Sequence, residues 1–283
     1  MARYFRARRF DVVHTHLSTS SVNGCFAARL ARVPCVATVH GMSGKLSFLA
    51  ANRLIAVSNG VRDHLVAQGI DGRKIRVIYN GLEGPGVRPD PVKAREVFGF
   101  DPSETVIGTV ARAVTVKGYE DLLKAFALIP VKLPLARFLC VGDGEELADF
   151  QAQAHALGLG KRIVWTGYRA DVWPALAAMD LFLFASHKEA MGIAVVEAML
   201  AGLPVVSTNV GGLAEVLLGA GVLVPPHSPE ALAEGALNLL EAPARMEKMR
   251  KNGCHRAETV FSVPAMRDAT LQVYEELRTP RRI

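Results

Sequence analysis

The sequence predicts an α/β protein with two doubly wound parallel sheets, the amino-terminal one incomplete. Three observations carry this prediction. Short β-rich apolar runs alternate with helical patterns along almost the whole chain. The runs are apolar on both faces, as strands of a parallel sheet covered by helices on both sides must be. The chain has 283 residues, half of them apolar, which is enough for two ordinary cores.

Taken in order, the first strand candidates are Val12–His14, Val36–Val39, Leu54–Val57 and Arg76–Tyr79. A second series follows: Val106–Val110, Phe138–Val141, Ile163–Trp165, Leu181–Phe184, Pro204–Ser207 and Val222–Val224. Helical periodicity marks Tyr119–Leu128, Glu145–Leu157, Pro229–Leu240 and Val263–Leu277. Six strands make a complete doubly wound domain, and four do not. The Gly- and Pro-rich stretch Gly81–Glu104 separates the two series and reads as the interdomain linker. The expected organisation is a partial domain over residues 1–90, a linker over 91–104, a ligand-binding domain over 105–262, and a C-terminal helix over 263–283 that packs back on the first domain.

Composition gives a sign without a ligand. The net charge of +6 suits an anionic partner, and nucleotide diphosphates, anionic lipid surfaces and nucleic acid all share that sign. The four cysteines (Cys25, Cys35, Cys140, Cys254) form no CxxC or zinc-finger spacing and read as buried reduced thiols of a cytoplasmic protein. No apolar run approaches the roughly 20 residues that span a bilayer. Met1–Phe10 is basic and lacks the apolar core of a signal peptide. It reads first as a solvated surface helix and second as a peripheral anchor at the inner membrane face.

The strongest chemical signal is the segment Ser186–Met199. A strand ends before it, a loop carries Glu189, and an almost wholly apolar helix beginning near Gly192 carries Glu197. A carboxylate on such a helix needs hydrogen-bond partners. Two readings stay open: sugar or ribose hydroxyls, or an ion pair with a nearby Arg or Lys. The amides of Met191, Gly192 and Ile193 would face an anion at the positive helix end. The second signal is Arg112, followed by Lys117-Gly118-Tyr119 at the next helix start. A guanidinium and an ammonium beyond a strand end suit a diphosphate leaving group, and also occur as plain surface charges.

Two tempting motifs fail. Val141-Gly142-Asp143-Gly144 would need Gly where Leu147 stands to bind a dinucleotide. Gly44-Lys45 is no P-loop, because Val39 and Leu46 occupy required Gly and Ser/Thr positions. In the first half, His14-Thr15-His16 and His40 put histidines at two strand ends, which suits an imidazole beside a bound acceptor or a structural histidine better than a metal site. Asn80-Gly81 ends the fourth run and reads as a turn.

Together, Val110-Ala111-Arg112, Lys117-Gly118-Tyr119, Val141–Gly144, Thr166-Gly167-Tyr168, Glu189 with Glu197, Pro204-Val205-Val206 and Gly211–Val216 resemble the retaining GT-B glycosyltransferases of family 4. The likeness spans about Val106 to Pro226, and a looser one covers Phe10–His16, Ala56-Val57-Ser58 and Ile78–Gly81.

The resemblance implies the GT-B fold, two Rossmann-like domains. It further implies transfer of a sugar from a nucleotide-diphosphate donor, by default a UDP-sugar, with no metal or other cofactor. On that likeness Arg112 and Lys117 hold the diphosphate, Glu197 the ribose and Glu189 the transferred sugar. Tyr168 and Arg169 flank the base, and Met191, Gly192 and Ile193 line the phosphate and sugar site. His40 stands close to the reacting sugar, and His16, Ser18 and Thr19 on the acceptor side. The implied acceptor is a cell-envelope or lipid-linked glycan; nucleic acid is not an expected partner.

Two departures qualify this. Ala190-Met191 replaces the family's usual Gly-Phe. Family members also carry a strand, a Gly-rich loop and further strand–helix units before the segment that matches Asp11-Val12-Val13. A miscalled start or truncation, a partner chain or self-association covering the open sheet edge, and a genuine short variant all fit. The alternatives to a transferase are a non-catalytic nucleotide-sugar-binding chain and a sugar-nucleotide epimerase.

Overall fold

The computed structural model describes residues 1–278. They form two compact units, one of Met1–Gly81, Glu189–Met191 and the chain from Val260, the other of Leu82–Lys188 and Gly192–Thr259.

In the first unit, helix α1 (Ala2–Arg8) precedes β1 (Val13–His16), α2 (Ser18–Ala31), β2 (Cys35–Val39), β3 (Arg53–Ala56), α3 (Asn59–Ala67) and β4 (Ile75–Val77). The four strands are parallel and lie in the order β1-β2-β3-β4, so each crossover moves one place in the same direction. Among the described residues β1 has a single neighbour, and its outer edge is open. Side chains alternate along β1. Thr15 points into α2, where its hydroxyl meets Ser21 Oγ at 3.0 Å. His14 and His16 share the other face, their rings stacked with centroids 4.4 Å apart.

The cysteines are not all reduced thiols. The structure joins Cys25 and Cys35 in a disulfide, and only Cys140 and Cys254 are free. Cys25 lies on the buried side of α2 and Cys35 opens β2, with their Cα atoms 5.5 Å apart.

The second unit begins with α4 (Pro91–Phe98) and continues through β5 (Thr105–Val110), α5 (Tyr119–Leu128), β6 (Ala136–Val141), α6 (Leu147–Ala156), β7 (Ile163–Trp165) and α7 (Trp173–Ala178). Then come β8 (Leu181–Phe184), α8 (Ile193–Leu200), β9 (Val205–Thr208), α9 (Leu213–Val216), β10 (Val222–Val224), α10 (Pro229–Leu240) and α11 (Pro243–Val260). Its sheet is parallel, in the order β10-β9-β8-β5-β6-β7. The strand order reverses beside β5, which starts a crevice at the carboxyl edge between β5 and β8. The core is apolar and aromatic: Phe126 stacks on Phe138 with centroids 4.1 Å apart, and Tyr119 on Phe150 at 5.0 Å.

The stretch 91–104 is not an open linker. Asp90 caps α4 through Val92 N at 2.9 Å, Pro91 occupies its first turn, and Gly99 closes it in a left-handed conformation. Arg95 of α4 then pairs with Asp180 at 2.6 Å, fastening the helix below β8. The last helix, α12 (Val263–Leu277), is capped by Ser262 and belongs to the first unit. Its Val273, Met266 and Tyr274 pack with Val36, Ile55 and Ile78. The remainder of the expected 263–283 element, residues 279–283, lies outside the described residues.

Candidate functional site

In the second unit the loops beyond β5, β6 and β8 are laced together. Gly142 has φ 135°, and a Cβ there would stand 2.0 Å from Ala111 O, so only glycine permits the approach. The loops bond through Ala113 N to Asp143 O at 3.0 Å and through Thr115 Oγ1 to Glu146 Oε1 at 2.5 Å. The Gly142-Asp143-Gly144 run is therefore a prop for the loop that carries Arg112 and Lys117. The Tyr119 hydroxyl donates to Ala111 O at 3.1 Å, holding the same loop from beneath.

Gly118, with φ 69°, lets this loop meet the end of β8, since a Cβ would come 2.0 Å from Ala185 O. His187 N and Ser186 Oγ both donate to Val116 O, at 2.9 and 3.3 Å. Thr208 Oγ1 closes the seam on Ser186 O at 2.6 Å. Arg112 is exposed and makes no ion pair among the described residues. Lys117 is half-buried, its ammonium 5.6 Å from the centre of the Phe184 ring. In the loop beyond β7, Tyr168 is 75% exposed and the Arg169 guanidinium lies over the Phe98 ring at 5.7 Å.

Helix α8 starts from Gly192 at φ 92°, and its first amides have no partner within the helix. Ile193 is exposed and Gly192 buried. Glu197 is half-buried one turn further on and forms no ion pair among the described residues. Burial alone pushes its carboxyl above the ordinary range.

The Glu189–Met191 stretch groups with the first unit. Glu189 Oε1 accepts from Ala190 N at 3.1 Å, and buried Met191 Sδ takes Asn80 N at 3.3 Å. In that unit parallel register sets His16 beside Thr38, with His40 just beyond the end of β2. His16 Nδ1 lies 3.0 Å from His40 Nε2, and their rings stack at 5.3 Å. His14 reaches Thr38 Oγ1 at 2.7 Å and Tyr274 Oη at 2.5 Å. Burial, then the neighbouring His16 and His40, lowers His14 to about 4. Burial and His16 also lower His40, against a hydrogen bond that its ring donates to the Asn80 side chain. His14, His16, His40, Asn80 and Tyr274 line a cavity of about 420 Å³. Ser18 and Thr19 open α2, just past β1.

Sequence reasoning missed Thr115, Glu146, Asp121 and Tyr274 as site-building residues. Thr115 and Glu146 are ordinary surface types, and Tyr274 lies 260 residues from its partner His14. The spacing offered no metal-ligand set, yet ligand atoms of Asp121, His187 and His227 lie within 4.8 Å of one another. A larger cavity, about 700 Å³, is walled by Arg88, Trp173, Gly202 and Arg250 at the amino-terminal edge of the second sheet. It is remote from the carboxyl edge, where such sheets bind ligands.

Two parallel sheets, with a basic loop beyond β5 and a carboxylate-bearing helix beyond β8, define a GT-B glycosyltransferase scaffold. The chain belongs to the family described as Glycosyl transferases group 1, whose pattern matches residues 92–256, while residues 1–83 match Glycosyltransferase Family 4. It is 30% identical over 299 residues to D-inositol 3-phosphate glycosyltransferase of Segniliparus rotundus, covering 95% of this chain and 66% of that protein. It is 31% identical over 235 residues to UDP-Gal:alpha-D-GlcNAc-diphosphoundecaprenol alpha-1,3-galactosyltransferase of Escherichia coli, covering 74% and 60% respectively. The chain thus spans about two thirds or less of the length of these two relatives. Among solved structures, Anabaena HepE in complex with UDP and glucose matches with a TM-score of 0.85 at 26% identity, over 97% of this chain and 80% of that one. No described helix is long and apolar enough to cross a membrane.

Proposed function

We propose that the chain binds a nucleotide-diphosphate sugar on its second unit and transfers the sugar, with retained anomeric configuration, to a cell-envelope or lipid-linked glycan. The observation that carries this reading is Glu197, a half-buried carboxylate on an apolar helix with no ion pair among the described residues. A group so placed is stabilised by a hydroxyl-rich ligand, and ribose supplies two adjacent donors. Arg112 and Lys117 meet the diphosphate, and the first amides of α8 add a positive helix end. Tyr168 and Arg169 take the base.

During transfer the bond from the anomeric carbon to the phosphate oxygen breaks as the acceptor oxygen bonds to that carbon. The acceptor proton passes to the departing diphosphate, whose charge Arg112 and Lys117 offset. Glu189 and His40 serve the transferred sugar, while His16, Ser18 and Thr19 serve the acceptor. The donor is assigned as a UDP-sugar because the Escherichia coli relative is named for UDP-Gal and Anabaena HepE was solved with UDP-glucose. The exposed Tyr4 and Phe10, with Arg8 over the Tyr4 ring at 5.7 Å, support peripheral contact with a membrane surface.

A second reading is that the chain binds the donor without transferring the sugar. Incubating the chain with UDP-sugars and polyprenyl-diphosphate-linked glycans separates the two. Turnover at about 1 per second or faster, with an α-linked product from an α-linked donor, supports transfer. Saturable donor binding with no acceptor-dependent release of UDP supports the second reading. A β-linked product contradicts retention.

A further inference from the structure

Asp121, His187 and His227 are distant in sequence and meet beyond the carboxyl ends of β5, β8 and β10. His187 Nε2 lies 2.7 Å from Asp121 Oδ2, and His227 Nδ1 approaches the same oxygen at 3.8 Å. The two imidazoles overlap, with centroids 3.9 Å apart. A His–Asp hydrogen bond alone is ordinary loop support. The third group is what such support does not require: a second imidazole, on another loop, directed at the same carboxylate oxygen. Asp121 is a buried carboxylate, its side chain 12% exposed, and among the described residues its only ion-pair partners are these two histidines. A buried charge with no Lys or Arg beside it is well satisfied by a cation.

We propose that these three side chains form a site for one divalent transition-metal ion, with water in an open fourth position. Bonds of about 2.0–2.2 Å in a tetrahedral site place ligand atoms roughly 3.3–3.5 Å apart. The His227–Asp121 spacing is close to that, and His187 has to withdraw from Asp121 by less than about 1 Å. Two imidazoles and one carboxylate suit zinc, and suit magnesium or calcium poorly. The side chain of His227 is 67% exposed, which leaves the ion an entry path. Glycine at position 118 leaves room at the metal-facing nitrogen, since a Cβ there would stand 3.1 Å from His187 Nε2. Binding displaces the proton that His187 Nε2 shares with Asp121. The ion would clip the loop after β10 to the seam between the loops after β5 and β8. No step of sugar transfer passes through it, and the site stands whether or not the chain is a transferase.

The test is calorimetric titration of the metal-free chain with zinc chloride, beside its His227→Ala and Asp121→Asn variants. One equivalent should bind to the parent chain and raise its melting temperature, and cobalt(II) should give a four- or five-coordinate absorption band. His227→Ala, at an exposed position, should keep the metal-free melting temperature and bind zinc about 100-fold more weakly. The site is refuted by a parent chain that shows no saturable zinc binding. It is refuted equally by a His227→Ala chain that binds as tightly as the parent, which would place the ion on other histidines such as His14, His16 and His40.

Discussion

Thr115 Oγ1 donates to Glu146 Oε1 at 2.5 Å, joining the loop after β5 to the start of α6. The contact holds the backbone between Arg112 and Lys117 without touching either charge. Thr115→Val should therefore raise the dissociation constant for a nucleoside diphosphate about fivefold to tenfold, the value of one hydrogen bond. Titration calorimetry reads the affinity, and far-UV circular dichroism should stay unchanged.

Gly118 gives a sharper test of the same seam. An alanine there combines φ 69° with a Cβ 2.0 Å from Ala185 O, so Gly118→Ala should lower stability by about 3 kcal/mol and abolish nucleotide binding. Gly84→Ala, which meets nothing within 4 Å, should leave both within experimental scatter. Urea denaturation of the two variants makes the comparison.

Arg112 is assigned to phosphate alone, so its loss should discriminate among ligands. Arg112→Ala should weaken UDP binding about 100-fold and leave uridine binding unchanged. Equal weakening of both would move Arg112 away from the phosphates.

The His14 environment makes a pH prediction. Its value of about 4 in the folded protein lies below its ordinary 6.5, so between the two the unfolded chain binds more protons. Stability is then full above pH 6.5 and is lost as the pH falls towards 4. Melting temperatures across that range should fall less steeply in His14→Gln than in the parent chain, although the partly exposed ring tempers the difference.

Much of this architecture was legible in the sequence because parallel strands announce themselves as short runs apolar on both faces. Val106–Val110 and Leu181–Phe184 are such runs, and all ten strand candidates overlap observed strands. Helix α4 was hidden by the density of Gly and Pro around it, although Asp90, Pro91 and Gly99 form an ordinary start and stop. The Cys25–Cys35 disulfide was illegible because it depends on how α2 lies across β2. The glycines at 142 and 144 fall short of the dinucleotide spacing, and their service in letting two loops touch needed coordinates. Asp121, His187 and His227 illustrate the same limit, since only strand order brings the loops after β5, β8 and β10 to one edge.

Glu197 is proposed as a ligand carboxylate, held at some cost in an apolar helix for a hydroxyl-bearing nucleotide. Replacing it with its neutral isostere should separate stability from binding. Glu197→Gln should raise the ligand-free melting temperature by roughly 2–4 °C, as expected for relief of about 1 kcal/mol of burial cost. It should also weaken UDP and UDP-sugar binding about tenfold or more by calorimetry. A variant that binds as tightly as the parent chain would contradict the assignment and leave Glu197 a structural residue.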